Sequence, residues 1–303
     1  MICGGSGSSK FASACAQYMS TDSTYDLGFI SNVADNYWYH GLYVCPDVDI
    51  IMHALSGQLN SSKGWGINSD NYENLEVFST LSTLREWFSL GSLDSAYCQR
   101  RTELIRHGWR LSSITKMFCE RLDIRWPIIP ATDDEMTTFV RTGVGLMHLQ
   151  QYWVKYNAVP DPVEVIYQGQ IEARANSNSI DYLNHQVIIC PANPITSVSP
   201  TIGIREVRRK LKNSKVAAIS PFVGDKVFSG PASKLMPLAG VEPNSLGVAK
   251  LYASFLKLFI IDEQEDKKLE DQIVDMGIEC YRTNIRIDSS NSRSIANEIM
   301  NIL

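Results

Sequence analysis

Met1-Ile2-Cys3-Gly4-Gly5-Ser6-Gly7-Ser8-Ser9-Lys10 opens the chain, and its reading decides the fold. Three apolar residues run into a glycine-rich turn, and a helical pattern follows from Lys10 or Phe11. Phe11, Ala14, Cys15 and Tyr18 fall at i, i+3, i+4 and i+7 and give that helix one apolar face. Ser8 or Ser9 is placed to cap it through a hydroxyl. A strand, a glycine loop and a helix in this order make a phosphate cradle. Glycines allow close approach, and the first helical amides point toward negative charge. Lys10 stands where its ammonium meets the same anion. The spacing matches neither Gly-x-x-x-x-Gly-Lys-Ser/Thr nor Gly-x-Gly-x-x-Gly, so a plain turn is the competing reading.

Outward from this opening, short apolar runs alternate with helical patterns. Residues 27–31 form a second strand that ends in a polar turn, Asn32 to Asn36. Pro46 suits the first position of a helix, which puts Asp47 and Asp49 in its first turn. There they either offset the helix dipole or act as paired carboxylates that hold a divalent cation or accept a proton. Residues 61–125 change character: a turn-rich stretch around Lys63 and Trp65 gives way to helical patterns. Residues 127–130, 137–140 and 163–167 have β character, and residues 146–155 read as helix. Runs at 187–190, 216–219 and 258–261 have the continuous apolar character of buried strands, each followed by a polar loop and a helix. The loop at 191–200 is either turn chemistry or a set of contacts to phosphate oxygens or a base edge. Residues 278–281 form a last strand and 294–303 a closing helix. Repeated strand-then-helix order predicts an α/β fold, a mostly parallel sheet with helices on both faces, its polar loops converging at strand C-termini.

At 303 residues the chain suits one large domain with an insertion or two subdomains. A net charge of −5 argues against a general nucleic-acid binder. Seven scattered cysteines without a Cys-x-x-Cys pair suit reduced thiols in a cytoplasm, not a disulfide framework or a zinc site. No apolar run reaches bilayer length, and the N-terminus has no signal-peptide pattern. His40, His53, His107, His148 and His185 lack ligand-like spacing and read as structural or solvated. The charged stretch at 205–210 reads as a solvated helix face. A dehydrogenase is disfavoured by the glycine spacing and by the lack of a clear acid closing the second strand.

Taken together, Gly4-Gly5-Ser6-Gly7 with Lys10, His40-Gly41-Leu42 and Pro46-Asp47-Val48-Asp49 resemble the opening of the 2-phospho-L-lactate transferase (CofD) family. Trp65-Gly66, Thr132-Asp133-Asp134, Gln150-Gln151-Tyr152-Trp153-Val154 and Asn193-Pro194-Ile195-Thr196-Ser197 continue the match in order. Ser220-Pro221-Phe222-Val223-Gly224, Gly230-Pro231-Ala232-Ser233-Lys234-Leu235-Met236 and Gly247-Val248-Ala249 complete it. The resemblance implies a Rossmann-like three-layer sandwich forming a single domain over 1–303. Its core would span approximately 1–60 and 126–303, with a helical insertion over approximately 61–125, and the molecule would be a homodimer.

The resemblance also implies a step in making the deazaflavin coenzyme F420. A guanosine-diphosphate-linked phospholactyl or phosphoenolpyruvyl-like donor is attacked by the terminal ribityl hydroxyl of 7,8-didemethyl-8-hydroxy-5-deazariboflavin. GMP leaves, with Mg2+ assisting. Carried over residue by residue, Gly4, Gly5, Gly7, Ser8, Lys10, Asn193, Thr196, Ser197 and Ser220 would hold the nucleotide donor. Asp49 would face the acceptor or the metal with Asp47 supporting it, both as catalytic and metal-binding residues. Ser89 and Trp65 would join Asp49 at the acceptor. Several positions depart from the family pattern. Its Lys/Arg-Leu-Gly-Asp-Arg-Asp segment is Ser89-Leu90-Gly91-Ser92-Leu93-Asp94 here, the following histidine is Cys98, and Thr-Asp-Thr near the end is Arg282-Thr283-Asn284. These departures favour two alternatives, a paralogous transferase with another acceptor and a nucleotide- or nucleotide-sugar-binding regulatory protein. The retained Asn-Pro-Ile-Thr-Ser segment favours the enzyme.

Overall fold

The computed structural model describes residues 1–20, 26–81, 86–224, 226–227, 230–288 and 291–302. Leu303, expected at the end of the closing helix, and Asp225 lie outside them. Seven strands build the central sheet: Ile2–Cys3, Phe29–Ser31, Ile128–Pro130, Val187–Ile189, Val216–Ile219, Leu256–Asp262 and Glu279–Thr283. Ranked along the chain, they lie in the order third, second, first, fourth, fifth, sixth, seventh, and every pairing is parallel. This is the doubly wound Rossmann-like order. Val187–Ile189 and Val216–Ile219 are buried at each residue, as an α/β sheet sandwiched between helices requires.

Helix Gly5–Met19 follows the first strand directly, and helices Pro46–Leu55 and Ser292–Ile302 pack against it. Helices Glu73–Leu81, Ser92–Arg106 and Leu111–Arg121 occupy the stretch where the sequence changes character. The last of them sends Ile114 and Phe118 into the main core. A smaller cluster of Tyr37, Tyr39, Val44, Leu90 and Cys98 joins the antiparallel hairpin Tyr37–Tyr39 and Leu42–Val44 to helix Ser92–Arg106. Among the described residues, no helix is long and apolar enough to cross a membrane.

Two local expectations are corrected. The first helix starts at Gly5, not at Lys10 or Phe11, and neither Ser8 nor Ser9 caps it. Ser8 lies one turn inside, where its hydroxyl donates to the Gly4 carbonyl at 2.8 Å. The cap comes from another helix, because the Gly5 amide donates to Asp47 Oδ1 at 2.7 Å. The stretch read as helix over 146–155 begins as strand Gly145–His148, followed by a π-helical turn at Gln151–Lys155. Pairing of Phe139 with His148 and of Val140 with Met147 gives these backbone groups cross-strand partners. Strands Thr137–Thr142, Gly145–His148 and Pro162–Gln168 form their own antiparallel sheet, off the central one.

Candidate active site

Strand order reverses beside the first strand, whose neighbours are the second and the fourth. Open α/β sheets bind ligands outside the carboxyl ends of such strands. Three loops meet there: Gly4 and Gly5 after the first strand, Asn32 after the second, and the turn Pro194–Val198 after the fourth. The fit is close. Gly4 is extended at φ −178°, so any residue could adopt its backbone, yet a Cβ there would lie 2.7 Å from both Asp47 Oδ2 and Ser197 Cβ. Gly5 has φ +65°, where glycine alone is unstrained.

Asn32 holds this junction together. Its Oδ1 accepts from the Ala34 amide at 3.0 Å, which fixes the orientation of its side-chain amide. Its Nδ2 then lies 3.1 Å from Asp35 Oδ1, 2.9 Å from Asp47 Oδ2 and 3.3 Å from the Thr196 carbonyl. Asp35 and Asp47 are both buried. Burial pushes the Asp47 carboxyl up to about 6, against the opposing hydrogen bonds from Asn32 and the Gly5 amide. Burial also raises Asp35 well above its ordinary value, and the neighbouring Asp47 charge adds to the effect. Sequence reasoning placed Asp35 only in a polar turn; its partnership with Asp47 depends on the helix docking across the sheet end.

Asp47 and Asp49, paired in sequence, are not paired in space. Asp49 turns to Arg101 of helix Ser92–Arg106, whose Nη1 donates to Oδ2 at 3.0 Å while Nη2 binds Oδ1. Arg101 is 1% exposed and also donates to the Tyr43 carbonyl at 3.3 Å. One turn further along helix Pro46–Leu55, His53 meets Asp94 of the same facing helix, Nε2 to Oδ1 at 3.1 Å. The two helices are thus joined by two polar pairs.

Asp35, Asp47, Asp49, His53 and Asp94 border one cavity of about 460 Å3. Of the residues singled out from sequence, the structure brings Gly5, Asp47, Asp49, Trp65, Ser89, Asn193, Thr196 and Ser197 to it. Gly4 lies just beneath, against Asp47 and Ser197. Gly7 and Lys10 line an adjoining cavity of about 760 Å3, which shares Ser6 with the first and also takes in Lys63 and Arg286. Ser8 and Ser220 do not reach either cavity. Ser220 is fully buried, its Oγ 2.6 Å from Ser245 Oγ, which donates to Glu265 Oε1 at 2.6 Å. Aromatic walls from Phe88 and Trp153 complete the first cavity; Trp153 stands in the Gln150–Val154 segment of the family resemblance, and Phe88 gave no sequence signal. Asp94, His53, Gly230 and Pro231 line it as well.

Asn193 carries a further polar signal. Its Oδ1 accepts from the Ile195 amide at 3.0 Å and the Thr196 amide at 3.2 Å, so the amide cannot be turned over. Its Nδ2 is buried and has no hydrogen-bond partner. Two donor hydrogens therefore stand unspent at the cavity wall. The Gly230 backbone, with φ +76°, passes so close that a Cβ there would lie 2.9 Å from this nitrogen.

No group of three or more His, Cys, Asp or Glu side chains among the described residues is arranged as a metal cage. Mg2+ needs less, since one or two carboxylates plus water and phosphate oxygens suffice. Asp35 and Asp47 fit that donor set: two buried carboxylates share one amide and are pushed up by burial. Asp49 turns to Arg101 through both oxygens whereas Asp47 turns to Gly5 and Asn32, so the expected pair shares no partner.

Comparison with known proteins agrees with this architecture. A family model described as 2-phospho-L-lactate transferase CofD matches residues 1–301. The 2-phospho-L-lactate transferase of Methanospirillum hungatei is 34% identical over 90% of this chain and 91% of its own length. That of Methanosarcina acetivorans is 32% identical over 100% and 98%. That of Methanopyrus kandleri is 34% identical over 92% and 90%. A crystal structure of a UPF0052 family member from Bacillus halodurans superposes with a TM-score of 0.63 over 99% of this chain and 97% of that one. At 14% identity that likeness concerns the fold alone. On the match over nearly its whole length, the chain belongs to the 2-phospho-L-lactate transferase CofD family.

Proposed function

We propose that this protein transfers a phospho-acid group from a guanosine-diphosphate-linked donor to the terminal ribityl hydroxyl of a deazaflavin, releasing GMP, as a step of coenzyme F420 biosynthesis. The observation that carries the reading is the unspent Asn193 Nδ2 on the same cavity as the buried Asp35 and Asp47 carboxylates, at the strand-order reversal. A diphosphate would supply oxygens for the amide, and a divalent cation would offset the negative charge it shares with the two carboxylates.

In this reading Asp35 and Asp47 hold Mg2+. When bound, the ion would offset charge on the diphosphate and on the departing phosphate. Asn193 Nδ2 donates to a phosphoryl oxygen. The Ser6 and Gly7 amides, at the first turn of helix Gly5–Met19, face the same anion because no helical carbonyl satisfies them. Lys10, Lys63 and Arg286 give the adjoining cavity the positive charge that the rest of the donor needs. Asp49, clamped by Arg101, accepts the hydrogen of the attacking hydroxyl; a carboxylate oxygen has lone pairs for more than one donor. As the ribityl oxygen bonds to phosphorus, its proton passes to Asp49. The bond from phosphorus to the GMP oxygen breaks, and GMP departs. Holding the reacting groups in place and neutralising charge is most of what phosphoryl transfer asks of a protein.

The acceptor side of the cavity has no lysine or arginine among its described lining residues, and Trp65, Phe88 and Trp153 give it planar apolar walls. An uncharged, polyhydroxylated aromatic suits it. The free thiols of all seven cysteines accord with a reducing, cytoplasmic setting. A homodimer is part of the same proposal, and its check is the mass of the protein in solution. Incubation with guanylated 2-phospholactate, the deazaflavin and Mg2+ tests the function directly. GMP release that needs all three, and falls at least a hundredfold in Asp47→Asn, is the expected result. Release that ignores the deazaflavin would remove it as the acceptor.

A further inference from the structure

His53 is 1% exposed, borders the same cavity, and has one ring nitrogen with a partner and one without. Its Nε2 lies 3.1 Å from Asp94 Oδ1, and a carboxylate only accepts, so Nε2 carries the hydrogen. In the neutral ring, Nδ1 then offers a lone pair, buried and unmatched. Packing holds the ring in place. Tyr97 meets it edge-on at 5.4 Å between centroids, and Asp94 fixes its tilt. A buried acceptor without a donor is a vacancy that a ligand's N–H or O–H would fill.

Helix geometry says which ligand can reach it. His53 follows Asp49 by four residues, on the same face of helix Pro46–Leu55 and about 6 Å further along its axis. The donor's phosphates belong at the other end, near Asp47 and Asn193. A molecule whose hydroxyl sits at Asp49 and whose body extends several ångströms away from the phosphates passes His53. We propose that His53 determines acceptor specificity, its Nδ1 taking a hydrogen bond from an N–H or O–H on the body of the deazaflavin, remote from the attacking hydroxyl. The inference rests on the deazaflavin reading given above.

Two substitutions separate the ring nitrogens. His53→Gln keeps an amide near the Nε2 position, within reach of Asp94, and removes the Nδ1 position. His53→Asn keeps a polar atom near Nδ1 and gives up Asp94. Deazaflavin binding is followed by fluorescence titration, GDP binding by calorimetry, and turnover as GMP release. For His53→Gln we expect deazaflavin affinity to fall about tenfold and the acceptor KM to rise by the same factor, with kcat and GDP affinity within about twofold of the parent. His53→Asn recovers part of the loss. Unchanged deazaflavin affinity in His53→Gln overturns the inference. So does an equal fall in GDP affinity and folding stability, which marks a purely structural histidine. If the parent protein binds GDP but no deazaflavin, the acceptor reading fails and this inference goes with it. If deazaflavin binds tightly but is not turned over, the binding comparison still decides the role of His53.

Discussion

The guanidinium of Arg101 spans both carboxylate oxygens of Asp49, and together they join the first turn of helix Pro46–Leu55 to helix Ser92–Arg106. Arg101 is 1% exposed, so removing it leaves a buried anion with no counter-charge. Arg101→Met is expected to cost about 3–5 kcal/mol of unfolding free energy, read from urea denaturation. Asp49→Asn combined with Arg101→Met should regain much of that loss, because no unpaired charge remains. Equal stability of the single and double variants would show that the pair is not coupled.

Gly4 tests close packing free of backbone strain, since its φ suits any residue. The Cβ of Gly4→Ala would meet Asp47 and Ser197 at 2.7 Å, so one of them must move. Such overpacking costs about 1–3 kcal/mol in stability. The larger effect falls on turnover, because small misplacements at a reacting centre can cost about a hundredfold. GMP release by Gly4→Ala should fall at least tenfold even where the protein remains folded by circular dichroism. Normal turnover would place the reacting groups elsewhere.

If Asp35 and Asp47 hold Mg2+ as proposed, the ion binds the folded state alone and raises its stability by mass action. At a hundred times its dissociation constant the gain is about 2.7 kcal/mol. Thermal unfolding of chelator-treated protein should therefore shift upward by several degrees on adding Mg2+. Asp47→Asn preserves an oxygen for the Gly5 amide and removes the charge, so the same titration should leave its Tm nearly flat. Identical shifts in both proteins would assign the ion to another place.

His148 links stability to pH. Its Nε2 is 3.2 Å from the Asn36 carbonyl and its Nδ1 accepts from the Gln150 amide at 3.0 Å. Burial lowers its pKa to about 4, against the hydrogen bond to Asn36. The unfolded chain takes up a proton at about 6.5 and the folded one does not. Stability from His148 is thus complete above pH 6.5 and is lost as pH falls toward 4, by up to about 3 kcal/mol. Denaturation midpoints between pH 7 and 4.5 should fall more steeply in the parent than in His148→Gln. Parallel slopes would show a ring that protonates freely.

Strands were legible where they were deepest. The runs at 187–190, 216–219 and 258–261 are short and apolar throughout, as strands covered on both faces are, and each is followed by a polar loop and a helix. Their alternation with helices is enough to predict the doubly wound sheet. Residues 146–149 misled because a short apolar run fits either period, and the choice was made by pairing with Phe139 and Val140. The start of the first helix was hidden for a related reason: its cap is Asp47, forty-two positions away. Within the site, the segments were legible and the partnerships were not. Asp35 with Asp47, and Asp49 with Arg101, form only when separate helices dock, and spacing along one helix cannot encode them. The resemblance assigned Ser220 to the nucleotide donor, but it is buried with its hydroxyl 2.6 Å from that of Ser245.

The contact of Gly4 with Asp47 and Ser197 also bears on how this protein can change over generations. Three distant segments share one tight spot, and none can gain an atom unless another gives one up. Drift at position 4 must wait for a smaller neighbour at 47 or 197, yet shrinking either disturbs the cavity rim first. Variants that escape this bind should arise in matched sets, and libraries randomising the three positions together will find solutions that stepwise selection misses.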